Sequence, residues 1–154
     1  MIVVSDTTAI TTLLKAGMED LLSHLFTTVI VPQAVWDELL AFHPQLPGFV
    51  MLRPTAQTQR FPETMALGRG EAEAIMLARE IDAELLLTDD LEARRVAARL
   101  GVKCSGLLGV LIRAKQSARI SSVREAIGTL ESRGGLYLSD TVKAEALKLA
   151  SEVV

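Results

Sequence analysis

The chain has 154 residues, 49% of them hydrophobic and 23% charged, a composition typical of one folded domain with a substantial core. Its net charge of −3 argues against a general nucleic-acid binder, and its one cysteine and two histidines exclude an internal disulfide and a recognisable zinc cage. No apolar run approaches the roughly 18 residues of a membrane span, and the opening MIVVSD lacks signal-peptide features, so we expect a cytoplasmic protein with no membrane partner.

The first half of the chain shows short apolar runs that alternate with helical patterns. Strands are predicted at residues 2–5, 27–32 and 49–54, and helices at 7–17, 18–25 and 32–42. Gly17 is expected to end the first helix, and Pro32 to begin the third. A polar connection containing prolines and glycines then covers residues 54–70.

The second half continues the alternation and ends in helices. A helix is predicted from Glu71 to Ile81, a strand at 84–88, a helix at 91–100 and a strand at 102–105. Three further helices are predicted at 107–116, 122–133 and 139–153, the last one capped by Ser139 and Asp140. This pattern predicts an α/β protein, a three-layer fold around a parallel sheet built from βαβ units.

Acidic residues follow two of the predicted strands. Asp6 comes directly after the first strand, and Asp89 and Asp90 come directly after ELLLT. Because ligands of open parallel sheets sit beyond the carboxyl ends of the strands, these carboxylates face one crevice if the two strands are neighbours. Glu71 at a helix start and Glu38 within the third helix can form two further walls of this crevice. Such a cluster is unfavourable unless protons or a cation offset the repulsion, and Mg²⁺ or Mn²⁺ is the natural partner of carboxylate oxygens.

Each acid also has a structural explanation. Asp6 is a suitable N-cap for the helix that follows it, and one of Asp89 and Asp90 is expected to cap helix 91–100. Glu71 can complement a helix dipole, and Glu38 can belong to a solvated helix face. No single acid therefore identifies an ion site.

Four segments, taken in order, resemble the motifs of the PIN-domain ribonuclease family. They are MIVVSDTTAITTLL, VPQAVWDELL, GEAEAIMLA and LLLTDDLEARR. The resemblance covers nearly the whole chain and is closest to the toxin branch found in type II toxin–antitoxin modules and to a subgroup of bacterial and archaeal PIN-like proteins. It implies one PIN-like domain over residues 1–154, an α/β/α sandwich with a central parallel sheet of four or five strands.

The resemblance also implies an activity. Asp6, Glu38, Glu71 and Asp90 match the catalytic acids, which hold one or two Mg²⁺ or Mn²⁺ ions, with Asp89 as a further ligand. The expected reaction is endoribonucleolytic hydrolysis of RNA phosphodiester bonds by a metal-activated water. The resemblance further implies a homodimer and an antitoxin protein as partners.

A basic segment follows the acids. Residues 91–124 hold 8 Lys or Arg and a single acid, whereas residues 1–90 hold 5 Lys or Arg and 13 acids. Within the helix at 91–100, Arg94, Arg95 and Arg99 can reach RNA phosphates. The alternative is that their stems only cover apolar surface.

Two other functions stay open at this stage. The family more often has Asp where this chain has Glu71, which motivates a non-catalytic module that binds RNA or a protein. A phospho-acceptor domain of the receiver type also places acids at strand ends, although the run VIVP lacks the middle-strand aspartate that this class requires.

Overall fold

The computed structural model describes residues 1–154 and contains five strands and eight α-helices. The strands are β1 (Val3–Ser5), β2 (Val29–Val31), β3 (Val50–Leu52), β4 (Leu85–Leu87) and β5 (Cys104–Ser105). The helices are α1 (Thr7–Ala16), α2 (Asp20–Phe26), α3 (Gln33–Phe42), α4 (Arg69–Glu80), α5 (Leu91–Arg99), α6 (Leu107–Gln116), α7 (Val123–Ser132) and α8 (Asp140–Leu149). A short 3₁₀ helix at Pro62–Thr64 interrupts the long polar connection.

All five strands are parallel and lie in the order β3-β2-β1-β4-β5. The central strand β1 pairs through Val4 with Ile30 on one side and with Leu86 on the other. Helices cover both faces of the sheet, so the predicted three-layer α/β/α fold is confirmed. The receiver-type hypothesis is wrong, because that fold has the strand order 2-1-3-4-5.

The alternation of side chains along the strands divides the core between the two faces. Val3 and Leu87 belong to a cluster of 26 buried residues, to which α1, α2, α3, α6, α7 and α8 contribute. Val4 and Leu86 belong to a cluster of 12 buried residues beneath α4 and α5. Neighbouring strand residues face opposite ways, which is why runs such as VV and LLL are apolar throughout.

Most element boundaries follow local signals in the sequence. Gly17 ends α1 with a left-handed backbone at φ 69°, and the Ser139 hydroxyl accepts a hydrogen bond from the Val142 amide at 3.2 Å to cap α8. Several boundaries differ from the prediction, and α8 ends at Leu149 instead of the predicted residue 153. Helix α4 begins at Arg69, two residues before Glu71, and β5 omits Val102 because its amide donates to Ala97 of α5 at 2.8 Å.

One carboxylate, that of Glu152, connects the C-terminal residues to the start of α7 by hydrogen bonds. Glu152 accepts hydrogen bonds from the amides of Val123 at 2.6 Å and Arg124 at 3.1 Å, and from Lys115 Nζ at 2.9 Å. Burial alone would raise the pKa of Glu152, but these bonds outweigh it and lower the pKa to about 2.

None of the eight helices combines the length and the apolar character needed to cross a bilayer.

Candidate active site

The candidate site lies where the order of the strands reverses. The chain builds β1, β2 and β3 outward in one direction and then crosses to place β4 and β5 on the other side of β1. Asp6 follows β1 and its amide donates to Leu87 of β4 at 3.0 Å, so Asp6 and the Asp89–Asp90 pair leave the sheet side by side. This is the switch-point crevice in which doubly wound sheets hold their ligands.

Asp6 is the most buried acid of the crevice, with 5% of its surface exposed. Its Oδ1 accepts a hydrogen bond from the Ala9 amide at 2.9 Å, which caps α1. Burial raises the pKa of Asp6 to about 6, although the hydrogen bonds from Ala9 and from the Thr88 side chain lower it. The charges of Asp89 and Glu71 contribute a smaller part of this rise in pKa, so three carboxylates lie within electrostatic reach of one another.

The two adjacent aspartates serve different helices. Asp90 is exposed, and its Oδ1 accepts from the Ala93 amide at 2.8 Å as the N-cap of α5. Asp89 points the other way, and its Oδ2 accepts from the Leu107 amide at 3.1 Å at the start of α6. Sequence reasoning expected one cap from this pair, whereas the structure shows that each aspartate holds a separate helix against the end of β4.

A glycine allows Asp89 to approach α6. A β-carbon on Gly106 would lie 2.2 Å from Asp89 Oδ1 and 3.2 Å from one guanidinium nitrogen of Arg94. Burial raises the pKa of Asp89, while the Leu107 amide and the Arg94 charge lower it. The carboxylate is therefore held between the start of a helix and a nearby cation.

Glu38 reaches the crevice from α3. Its Oε2 accepts a hydrogen bond from the Thr7 hydroxyl at 2.5 Å, and a β-carbon on Gly70 would lie 2.8 Å from its Oε1. Glu73 of α4 accepts from the Ala34 amide at 3.1 Å and so fixes the start of α3 beside α4. The GEAEA segment thus packs against α3 through Gly70 and Glu73, and Glu38 is held by Thr7, the residue that follows Asp6. Spacing alone did not reveal this role of Gly70 and Glu73.

Glu71 occupies the first turn of α4. Its carboxylate is folded back over the start of the helix, where a β-carbon on Gly68 would lie 2.5 Å from Oε2. The position is favourable for an anion because helix amides point toward it. Its charge contributes to the raised pKa of Asp6, so the carboxylate lies within electrostatic reach of the crevice.

The three predicted RNA-contacting arginines do not form one group. Arg94 lies beside Asp89 and Gly106 at the crevice. Arg95 forms an exposed ion pair with Glu92 at 3.2 Å, and Arg99 is exposed in the last turn of α5. Contact of Arg95 and Arg99 with RNA stays a prediction.

Cys104 lies near this region, in an environment that disfavours its thiolate. It is half-buried in β5, and burial raises the pKa of its thiol, although the charge of Arg94 lowers it. A raised pKa disfavours the reactive thiolate.

The acidic side chains of the crevice have the chemical type that a divalent ion binds. All the acidic donors are carboxylate oxygens, which suit a hard cation. The pKa of Asp6 is raised mainly by burial, and the charges of Asp89 and Glu71 add a smaller part of the rise. No group of three or more Asp, Glu, His or Cys side chains is close enough to hold one ion in the conformation described. The residues present suit such an ion by type, and the glutamates must turn to share it.

Fold and site together define a doubly wound α/β domain with an acidic ligand crevice at its switch point. The PIN domain family model DUF3368 matches residues 2–152. The chain therefore belongs to the PIN domain family, whose fold is of the nuclease type and whose members usually bind divalent metal ions.

A solved structure has a similar fold. It is a PilT N-terminus domain protein from the hyperthermophilic archaeon Sulfolobus solfataricus P2, with a TM-score of 0.53 and 21% sequence identity. The similarity covers 71% of this chain and 90% of that one. No curated protein has a significant match to the sequence.

Proposed function

We propose that this protein is a Mg²⁺- or Mn²⁺-dependent endoribonuclease that acts at the switch-point crevice. The observation that carries the proposal is the buried Asp6 carboxylate, which lies at the end of the central strand with Asp89 and Glu71 within electrostatic reach. Burying and crowding like charges is costly, and a divalent cation offsets that cost. Membership of the PIN domain family supports the nuclease class.

Asp6, Glu38, Glu71 and Asp90 are proposed to hold the ion, with Asp89 as a further ligand. After its cap on Ala93, Asp90 keeps Oδ2 available, and Asp89 keeps Oδ1 available after its bond to Leu107. Glu38 and Glu71 are proposed to turn toward Asp6 when an ion binds, from their positions beside Thr7 and Gly68. When bound, a divalent ion supplies an activated water and stabilises charge on the leaving oxygen.

The surrounding residues position the ligands. The Thr7 hydroxyl donates to Glu38, and the Thr88 side chain lies close enough to Asp6 to lower the pKa of its carboxyl. Arg94 stands at the edge of the crevice beside Asp89, where it can meet a phosphate of the bound strand. These residues orient the substrate and the carboxylates. The proposed reaction needs no side-chain nucleophile, because the attacking group is water.

The test is cleavage of a mixed structured RNA by the purified protein with Mn²⁺ and with EDTA. Asp6→Asn and Asp90→Asn are expected to lose cleavage and stay folded, because Asn caps helices as well as Asp. The exposed Asp82, in a turn at φ 52° that Asn also tolerates, provides the matched control Asp82→Asn, which should cleave at the parent rate. Parent-rate cleavage by both site variants, or unchanged cleavage in EDTA, would refute the proposal.

A second function is favoured by a separate observation. The carboxylate of Glu71 rests over Gly68, and no three acidic groups are close enough to share an ion. A PIN-like module that binds RNA or a protein without cutting accounts for that arrangement. RNA binding by the folded protein without any Mn²⁺-dependent cleavage would favour this function over the nuclease.

The biological setting stays a prediction. The family resemblance motivates a toxin role, an antitoxin partner, a homodimer and a cytoplasmic location. Sedimentation of the purified protein tests the dimer. Loss of cleavage on adding the product of a neighbouring gene tests the antitoxin.

A further inference from the structure

A polar groove of about 540 Å³ runs from the crevice along α1. One wall consists of Thr7, Thr8, Thr11 and Thr12. The opposite wall contains Phe42 and His43, and Lys15 stands at the far end. We call this feature the threonine groove.

The groove begins at the candidate active site. Thr7, which lines it, donates its hydroxyl hydrogen to Glu38 Oε2 at 2.5 Å. Because an α-helix rises about 1.5 Å per residue, Lys15 lies roughly 12 Å further along α1 than Thr7. A chain bound in the groove therefore passes directly from the carboxylates to the cation at the other end.

The charge along the groove is graded. Carboxylates occupy its start, and positive charge gathers at its far end in the last turn of α1. Lys15 is exposed there, and the Arg133 guanidinium lies 3.8 Å from the position of a β-carbon on Gly17. Phosphates next to the reacting one would meet these cations after they leave the acidic crevice.

The side chains of the groove match a ribose-phosphate chain. The Thr11 hydroxyl and His43 Nε2 lie 3.3 Å apart, and the Thr8 hydroxyl is exposed to solvent. Hydroxyls both donate and accept hydrogen bonds, as the ribose 2′-OH does. Phe42 is the one hydrophobic residue of the lining, and 76% of its surface is exposed, which leaves a ring free to stack on a base.

Two glycines line the groove beside α1. A β-carbon on Gly134 would lie 2.7 Å from the Leu130 carbonyl oxygen and 3.0 Å from that of Thr12. Gly135 follows with φ at 73°, a left-handed conformation that favours glycine. Bare backbone therefore packs on α1 where a side chain would fill the space.

We propose that the threonine groove binds the sugar-phosphate backbone of single-stranded RNA on one side of the bond that the crevice cleaves. Thr8 and Thr11 contact ribose hydroxyls, Lys15 contacts a phosphate and Phe42 stacks on a base. The proposal rests on the proposed nuclease function for its substrate, but binding in the groove does not require the ion.

Binding is measured with the full chain in EDTA, by fluorescence anisotropy of labelled oligouridylate and oligodeoxyuridylate of about ten nucleotides. Lys15→Ala should weaken both and reduce the slope of log affinity against log salt by about 0.7, the value for one phosphate contact on a single strand. Lys148→Ala, which removes an exposed cation of α8 outside the groove, is the matched control and should leave the slope unchanged.

Two further variants test the ribose and base contacts. Phe42→Ala should weaken binding about fivefold or more, as expected for the loss of one stacked base. Thr8→Val keeps the size of the side chain and removes the hydroxyl, so it should reduce the preference for RNA over DNA. The proposal is overturned if the parent binds no RNA, or if all three groove variants bind with the parent's affinity, salt slope and sugar preference.

Cleavage in Mn²⁺, measured separately, distinguishes this proposal from the nuclease assignment. If the groove variants lose binding and the parent never cleaves, the groove assignment stands and the nuclease assignment fails. If the parent cleaves and the groove variants match it in affinity and kcat/KM, the nuclease stands and the groove assignment fails.

Discussion

Replacing Asp6 by Asn tests whether the ionised Asp6 carboxylate destabilises the folded protein. The rise in the pKa of Asp6 from 3.8 to about 6 corresponds to about 3 kcal/mol against the ionised form in the folded protein, at about 1.4 kcal/mol per tenfold change. Asn keeps the cap on Ala9 and carries no charge. We therefore expect Asp6→Asn to raise the free energy of unfolding by about 1–3 kcal/mol near pH 8 without divalent ions.

The pH dependence has a defined sign. Between pH 3.8 and about 6 the folded state holds the Asp6 proton more often than the unfolded chain does, so this residue lowers the stability of the parent as pH rises. The advantage of Asp6→Asn should be largest above pH 6 and should shrink as the pH falls toward 4.

Urea unfolding in EDTA at several pH values measures the effect. The exposed Asp82→Asn variant should show no such gain. An Asp6→Asn protein that is equally stable or less stable than the parent at pH 8 would refute the claim that burial and neighbouring carboxylates penalise the Asp6 charge.

Two other predictions concern single contacts. Glu152→Ala should lower the free energy of unfolding by about 2 kcal/mol, since the amides at the start of α7 and Lys115 lose their partner. The stabilisation by Glu152 is present above about pH 4.5 and is lost as the pH falls toward 2. As a control, Glu145→Ala removes an exposed acid of α8 and should leave urea unfolding unchanged. Gly106→Ala should displace Asp89, lower stability by about 1 kcal/mol and reduce Mn²⁺-dependent cleavage. In contrast, Gly128→Ala, where the added methyl meets nothing within 4 Å, should stabilise α7 by up to about 1 kcal/mol. Unchanged unfolding and cleavage in Gly106→Ala would contradict the role assigned to that close approach.

The sequence was sufficient to predict the fold because its signals are local. Apolar runs such as VV and LLL between amphipathic helices identify buried parallel strands, and Gly17 and Ser139 mark helix ends. The boundary at β5 was missed because the amide of Val102 is used by α5, a contact that strand propensity does not report.

The candidate site was only partly predictable. Strand-end positions indicated that Asp6 and the Asp89–Asp90 pair would be neighbours, and the sheet order places them so. The bond of Asp89 to Leu107 spans 18 residues, and it depends on the packing of α6 and on the missing side chain of Gly106. Such long-range approaches leave no periodic signal in the sequence.

The proposed nuclease function depends most directly on whether the carboxylate crevice binds a divalent ion. Calorimetric titration of Mn²⁺ into the folded parent and into Asp6→Asn measures this without any choice of RNA. We expect saturable binding to the parent that Asp6→Asn loses or greatly weakens. A folded parent that binds no Mn²⁺ at millimolar concentration, or an Asp6→Asn variant that binds it equally well, would contradict the account.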